Sequence, residues 1–235
     1  MLRVRDLDVS IQASRILHRV SLEVDARELV CLVGRNGAGK TTTFRTIMGY
    51  LAPEAGRVEF KEHSLSGLPT HAVAALGIGF APEDAAIFAG LSVAENIEIA
   101  TWTRRGGRPA AERVALAYDV FPRLRDYAAR GGSQLSGGER KMLSIARALA
   151  LDPDLLLLDE PFEGLAPAII PGISESISTI TQLGRAVLLA ESNIHHVPPA
   201  TNRLYVIERG EIVFAGSPRD AYGDATVRRI IGGAA

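Results

Sequence analysis

Residues 34–41 read GRNGAGKT, a match to the pattern G-x-x-x-x-G-K-S/T. Gly34, Gly37 and Gly39 let a backbone curl until several N–H groups face one anion. Arg35, Asn36, Ala38 and Thr42 belong to the same curl, so they are candidate phosphate-binding positions through their main chain. Lys40 brings a positive charge toward the β- and γ-phosphates of a nucleotide, and Thr41 offers a hydroxyl to Mg²⁺. The flanks suit this chemistry. The apolar run LVCLV at 29–33 precedes the loop, and the helical pattern TTTFRTIMG comes after it, adding a dipole that favours an anion. A glycine-rich turn with no ligand explains the string but not its setting.

A second group of residues complements the first. The run LLLLDE at 155–160 ends a buried strand on two acids, and strand ends are where α/β sheets hold ligands. Asp159 is suited to the Mg²⁺ shell by way of water, and Glu160 to orienting or deprotonating an attacking water. Residues 135–139 read LSGGE ahead of a helical pattern. Ser136, Gly137 and Gly138 form a candidate anion-binding helix start, while Ser136 and Glu139 have the spacing of a capping box. The two readings are compatible, because a capped helix start is also an anion site.

These residues need a scaffold of alternating strands and helices. Residues 2–33 read as three short strands, and 57–61 and 77–81 as further ones. The runs at 155–158 and 187–190 read as strands buried on both faces, as in a parallel sheet. Helical patterns fall near 41–50, 110–120, 137–151 and 169–183, and 205–216 reads as a hairpin turning at Arg209-Gly210. The predicted class is therefore α/β. The segment from 88 to 150 lacks a buried strand and reads as an inserted helical subdomain.

Composition narrows the partners. The chain has 235 residues, 47% of them hydrophobic, with 26 Lys+Arg against 27 Asp+Glu. It can bury an ordinary core. Its net charge of −1 offers no overall basic excess for a nucleic-acid backbone, so nucleic acid is not an expected partner. Cys31 is the only cysteine and reads as a buried thiol. The start shows no apolar leader segment, and no apolar run reaches the roughly 18–20 residues of a membrane helix. A soluble cytosolic chain is expected, with any membrane role exerted through a partner. The only lysines are Lys40, Lys61 and Lys141. The stretch WTRRGGR at 102–108 reads as a solvated basic loop.

GRNGAGKT, LSGGE and LLLLDEP, in this order, resemble the ATP-binding cassette proteins, the nucleotide-binding subunits of ABC transporters. The resemblance spans essentially the whole chain. It implies a P-loop NTPase (RecA-like) core, an N-terminal antiparallel β subdomain and an inserted helical subdomain. Residues 1–87 and 151–235 would make up the first two and 88–150 the third. It implies ATP and Mg²⁺ as cofactors, and head-to-tail pairing with a second ATP-binding subunit, identical or not. Ser136, Gly137 and Gly138 would then act on the partner's γ-phosphate. It further implies transmembrane permease subunits, a periplasmic solute-binding protein as an indirect partner, and a peripheral location on the cytoplasmic face of the inner membrane.

Finer features narrow the resemblance. Where the family usually carries a Gln that touches Mg²⁺ and the permease, APED at 81–84 puts Glu83, which is a candidate metal and nucleotide contact or an exposed loop acid. FEGLAP at 162–167 and the Pro82-Glu83 pair are similar to the ATPases of branched-chain amino acid importers, smaller-subunit type, with amide and urea importers close by. Two positions depart from the general pattern. Ser10 and Ile11 stand where the family often stacks adenine on an aromatic ring. Ser192 stands where the family has a His on the γ-phosphate, and it donates one hydrogen bond but carries no charge. His195 and His196 lie just downstream and read as surface residues or as substitutes for that His.

Three functions compete at this level. The first is an ATPase subunit energising import, with Lys40, Thr41, Asp159 and Glu160 handling phosphate and Mg²⁺ and with Glu83 facing the permease. The second is a nucleotide-gated subunit with weak hydrolysis that leans on a partner ATPase. The third, a soluble ATPase of DNA repair or translation, is disfavoured, because such chains carry paired cassettes or a long coiled-coil insertion.

Overall fold

The computed structural model describes residues 1–103 and 107–231, so Arg104, Arg105 and Gly106 of the basic loop and residues 232–235 lie outside the described residues. The chain opens with β1 (Leu2–Ile11), β2 (Ser14–Val24) and β3 (Leu29–Val33), then α1 (Lys40–Ile47), β4 (Ala55–Phe60), β5 (His63–Ser64), α2 (Thr70–Ala75) and β6 (Ile78–Ala81). A helical stretch comes next: α3 (Val93–Ala100), α4 (Ala110–Val120), α5 (Arg123–Asp126) and α6 (Gly137–Ala150). The chain then alternates β7 (Leu155–Asp159), α7 (Ile170–Gln182), β8 (Ala186–Glu191), β9 (Arg203–Glu208) and β10 (Glu211–Gly216), and closes with α8 (Pro218–Gly223) and α9 (Ala225–Ile231).

Two sheets result. The first is antiparallel in the order β2-β1-β4-β5, and the second runs β10-β9-β3-β8-β7-β6. In the second, β9, β3, β8, β7 and β6 are parallel and β10 is antiparallel to β9. The period of two along a strand explains how one sheet serves two cores. Leu29, Cys31, Val33, Leu156, Leu158, Val187 and Leu189 face the layer of α3, α4, α6 and α7. Val30, Leu32, Leu155, Leu157 and Leu188 face the opposite way, toward α1 and the antiparallel sheet. Strands β3, β7 and β8 are buried throughout, as their uninterrupted apolar runs require.

The expected strands and the four expected helices form, with ends shifted by up to three residues, the largest shift being α1, which ends at Ile47. The short elements β5, α2, α8 and α9 have too few residues to show a period. The start of α3 has a legible signal: Ser92 and Glu95 form a capping box, with the Ser92 hydroxyl accepting from the Glu95 N–H. Helix α6 packs on β6 and β7 as well as on α3 and α4, so it joins the helical stretch to the central sheet.

The β9–β10 turn braces the phosphate loop. Arg209 (φ 49°) and Gly210 (φ 80°) are both left-handed, as a tight hairpin of this twist demands. The Gly210 N–H donates to the Ala38 carbonyl at 2.9 Å, and the Gly210 carbonyl accepts from the His18 N–H at 2.8 Å. A Cβ at Gly210 would collide with the Ile16 carbonyl oxygen. Gly210→Ala is therefore expected to cost at least about 1–3 kcal/mol from the left-handed backbone alone, lowering the thermal midpoint by roughly 3 °C or more. A thermal melt within about 1 °C of the wild type would contradict this assignment.

Candidate nucleotide-binding and catalytic site

Helix α1 begins at Lys40 with Gly39 as its N-cap (φ 114°), with no side-chain cap and no acid in its first turn. Its first N–H groups are thus left for an outside acceptor, and the helix dipole favours an anion there. Gly34 is pressed against β9, where a Cβ would collide with the Ile207 carbonyl. The Gly34 N–H donates to the Glu191 carbonyl at 3.1 Å, which ties the start of the loop to the end of β8. Lys40 Nζ, only 4% exposed, donates to the carbonyls of Gly34 (2.6 Å) and Arg35 (3.1 Å) and pairs with Glu160 Oε1 at 3.0 Å. Asn36, Gly37, Gly39, Lys40, Thr41 and Thr42 line a cavity of about 380 Å³ that is closed by Ile16, Glu83, Glu160 and Glu163.

Asp159, the last residue of β7, and Glu160 just after it meet this loop as their spacing predicts. Asp159 Oδ1 accepts from Thr41 Oγ1 at 3.3 Å. Asp159 Oδ2 is buried with no hydrogen-bond partner in the protein. Burial is the main cause that pushes the Asp159 carboxyl up to about 6; the Thr41 hydrogen bond opposes it and the charge of Glu160 adds to it. Glu160 has a left-handed backbone (φ 48°) and is held there by its N–H on the Ala190 carbonyl at 3.0 Å. Its Oε2 accepts from the Ser192 N–H at 3.2 Å. A non-glycine residue in this region is strained, and such strain collects at sites where a side chain must be aimed.

Among the described residues, no group of three or more His, Cys, Asp or Glu side chains is arranged to hold a metal by itself. The donor set fits Mg²⁺ all the same. This ion keeps several waters and takes one or two protein oxygens plus substrate phosphates. Thr41 Oγ1 and the unpartnered Asp159 Oδ2 are such oxygens. Glu83 lines the neighbouring cavity together with Thr41 and Asp159. Burial first and the neighbouring Glu83 carboxyl second push the Glu163 carboxyl upward.

Three residues of the site belong to none of the sequence motifs. Lys141 Nζ donates to the Glu83 carbonyl (2.6 Å) and the Glu160 carbonyl (2.7 Å), joining α6 to both sides of the cavity. Burial lowers its pKa, against the pull of Glu163, Glu83, Glu191 and Glu160. Its one signal is a lysine on the apolar stripe of α6, in line with Gly138, Met142, Ile145 and Leu149. Glu191, 1% exposed, accepts from the Phe162 N–H at 3.2 Å. Burial and then the charge of Glu160 push it up to about 8. Ile16 is the apolar residue that walls the phosphate-loop cavity; Ile11, at the end of β1, is 40% exposed.

The remaining candidates fall partly inside and partly outside the cavity. Ser192 reaches Glu160 through its main chain. His196 faces Glu191 (3.5 Å from Nδ1 to Oε2) and the edge of the Phe162 ring, while His195 is exposed. Ser136 and Glu139 form the capping box, and Ser136, Gly137 and Gly138 do not line the phosphate-loop cavity of their own chain. Arg35 is likewise absent from its walls.

Two measurements test these electrostatics. In the native state Glu191 retains a proton that the unfolded chain has lost once the pH exceeds about 4.5. Its ionisation therefore costs progressively more stability as pH rises from there through about 8. Glu191→Gln is expected to gain stability relative to wild type between about pH 5 and pH 8, and a melting-point difference that does not change with pH overturns the assignment. Lys141→Met strands the buried Glu160 carbonyl, worth about 1–3 kcal/mol, and releases the part-buried Glu83 carbonyl, so its denaturant midpoint should fall clearly; an unchanged midpoint is the contrary result.

Comparison with known proteins bears on what this geometry does. The family model described as "ABC transporter" matches residues 17–163. The lipopolysaccharide export system ATP-binding protein LptB of Escherichia coli (strain K12) is 36% identical over 234 residues, covering 97% of this chain and 95% of its own. A probable ABC transporter ATP-binding protein of Azorhizobium caulinodans is 36% identical over 217 residues, covering 92% of this chain and 77% of its own. A solved ATP-binding subunit of an ABC transporter superposes with a TM-score of 0.83 at 25% identity, over 100% of this chain and 95% of that one. The dimeric cassette MJ0796 bound to ADP and phosphate shares the fold at a TM-score of 0.83 and 22% identity, over 93% and 99% of the two chains. With the loop, the acids and the match in agreement, this chain belongs to the ABC transporter family, as an ATP-binding subunit with the fold of the ABC ATPase cassette.

Proposed function

We propose that the chain hydrolyses ATP between itself and a second ATP-binding subunit and so drives a membrane transporter. The observation that carries this reading is the Glu160 carboxylate at the wall of the phosphate-loop cavity, with one oxygen on Lys40 and the other on the Ser192 N–H. The remaining N–H groups of the loop and of the first turn of α1 bind the triphosphate oxygens, those of Gly34 and Ala38 being engaged within the protein. Lys40 exchanges its contact with Glu160 for the β- and γ-phosphates. Glu160, still steadied by Ser192, then accepts a proton from the attacking water. A bond forms from that water's oxygen to the γ-phosphorus, and the bond from this phosphorus to the bridging oxygen breaks, giving ADP and phosphate. Mg²⁺, held by Thr41 and Asp159 with Glu83 nearby, would neutralise charge on the phosphates when bound. Ser136, Gly137 and Gly138 of the second subunit close the site, in keeping with the dimeric form of MJ0796.

Residues 88–150 form the helical subdomain in this reading, and the loop around Glu83 faces the permease. None of the described helices is long and apolar enough to cross a membrane, which suits a peripheral position on the cytoplasmic face of the inner membrane. Two cargo readings each have an observation behind them. Gly164-Leu165-Ala166-Pro167 and Pro82-Glu83 favour import of branched-chain amino acids, or of urea or short amides, with a periplasmic solute-binding protein as an indirect partner. The 36% identity to LptB favours lipopolysaccharide export instead. A weakly hydrolysing, nucleotide-gated role is a second mechanism, favoured by Ser192 in the place of a charged His.

Glu160→Gln is expected to lower ATP turnover at least about tenfold while Mg·ATP still binds; unchanged turnover would refute the role of Glu160. Steady turnover by the isolated chain would exclude the gated role. Reconstitution with its co-purifying permease separates the cargo readings. Stimulation of turnover by a binding protein loaded with a branched-chain amino acid, urea or a short amide supports import, and stimulation by lipopolysaccharide supports export.

A further inference from the structure

The side chain of Arg35 does not serve the cavity that its own loop encloses. Its Nε donates instead to the carbonyl of Ile230 at 2.8 Å. That carbonyl belongs to α9 (Ala225–Ile231), so the phosphate loop is tied directly to this helix.

Helix α9 is firmly seated. Val227 and Ile230 are 1% and 2% exposed and join the core beneath the central sheet. Asp224 caps its start, accepting from the N–H groups of Thr226 (2.7 Å) and Val227 (2.9 Å). From the preceding α8, Tyr222 Oη donates to the Ile194 carbonyl at 3.4 Å, in the turn that comes after Ser192. The pair α8–α9 thus touches both stretches that flank the Glu160 carboxylate, the phosphate loop and the segment after β8. The link runs inward as well. The Arg35 carbonyl accepts from Lys40 Nζ (3.1 Å) and from the Ala38 N–H (3.0 Å), so a shift of Arg35 moves the lysine and the curl together.

We propose that α9 holds the phosphate loop in its anion-gripping form through Arg35, and that the seating of α9 thereby sets the affinity for ATP. Arg35 is a positioning residue in this arrangement. It acts on the nucleotide through its own carbonyl and Lys40, while its side chain answers to a helix at the far end of the chain. The inference rests on ATP binding by this loop, as set out under Proposed function.

The test uses the full chain, with turnover suppressed by Glu160→Gln, and measures the dissociation constant of Mg·ATP by calorimetry. Adding Arg35→Ala is expected to weaken binding about tenfold, the loss of one charge-assisted hydrogen bond. Arg35→Lys, which can still donate to the carbonyl, is expected to recover most of that loss. Val227→Ala, which loosens the seat of α9 without touching the loop, is expected to weaken binding in the Arg35 background and to have no further effect in the Arg35→Ala background. In the hydrolysing chain, Arg35→Ala should raise KM more than it lowers kcat. Equal affinity of the Arg35→Ala and parent chains overturns the proposal, and so do additive effects of Val227→Ala and Arg35→Ala. A parent chain that takes up no Mg·ATP overturns the functional reading itself, a different and separable result.

Discussion

The buried pair of Lys40 and Glu160, 4% and 5% exposed, is the contact on which the site depends. Neither charge is tolerable in the interior without the other or a substitute. The neighbourhood holds more acid than base. Asp159, Glu160 and Glu191 are buried and Glu83 and Glu163 stand beside them, against Lys40 and Lys141, with Arg45 on the wall that Glu83 and Asp159 share. Burial first, and the neighbouring Glu160 charge after it, act on the acids of this site. Asp159 is pushed up to about 6 and Glu191 to about 8, so Glu191 carries a proton at neutral pH. Asp159 also retains one oxygen without a partner. A site short of positive charge, with an unpartnered carboxylate oxygen beside a hydroxyl, is one that a divalent cation stabilises. A nucleotide that arrives with such a cation brings the missing charge along with its own phosphates.

The geometry around that pair is set by the end of one strand. In the central sheet β8 lies between β3 and β7, so its last residues reach both strands that carry the chemistry. The Ala190 carbonyl takes the N–H of Glu160, and the Glu191 carbonyl takes the N–H of Gly34. The Glu191 carboxyl takes the N–H of Phe162, and the Ser192 N–H holds the Glu160 carboxylate. Three consecutive residues therefore place the phosphate loop, the catalytic candidate and the segment beyond it. The left-handed backbone of Glu160 is sustained by these bonds. Ser192 accordingly matters here through its main chain, which a change of side chain leaves in place.

Much of this is legible in the order of residues. Strands β3, β7 and β8 announce themselves as uninterrupted apolar runs, because burial on both faces leaves no polar position. The phosphate loop is legible because curling a backbone around an anion demands glycines at particular places and a lysine after them. Asp159 and Glu160 are legible because acids that end a buried strand need a reason to be there. Lys141 and Glu191 are not, although a charge on an apolar stripe is in view. Their meaning lies in which carbonyls and carboxyls they meet, and those belong to segments that α6 and β8 touch only after folding.

The inventory is therefore written in residue type alone: the α/β class, the anion loop, the pair of acids and the capped serine-glycine-glycine start. These are local demands, met within a few residues of one another, and local sterics and hydrogen bonding select the side chains that meet them. The pairings are the work of the tertiary structure. Lys40 sits on Glu160, Lys141 on the carbonyls of two distant loops, Ile16 at the cavity wall, and Arg35 on α9. Most of these pairings join residues far apart in the chain, and Coulomb forces and burial depend on distance in space, to which the order of residues along the chain is indifferent.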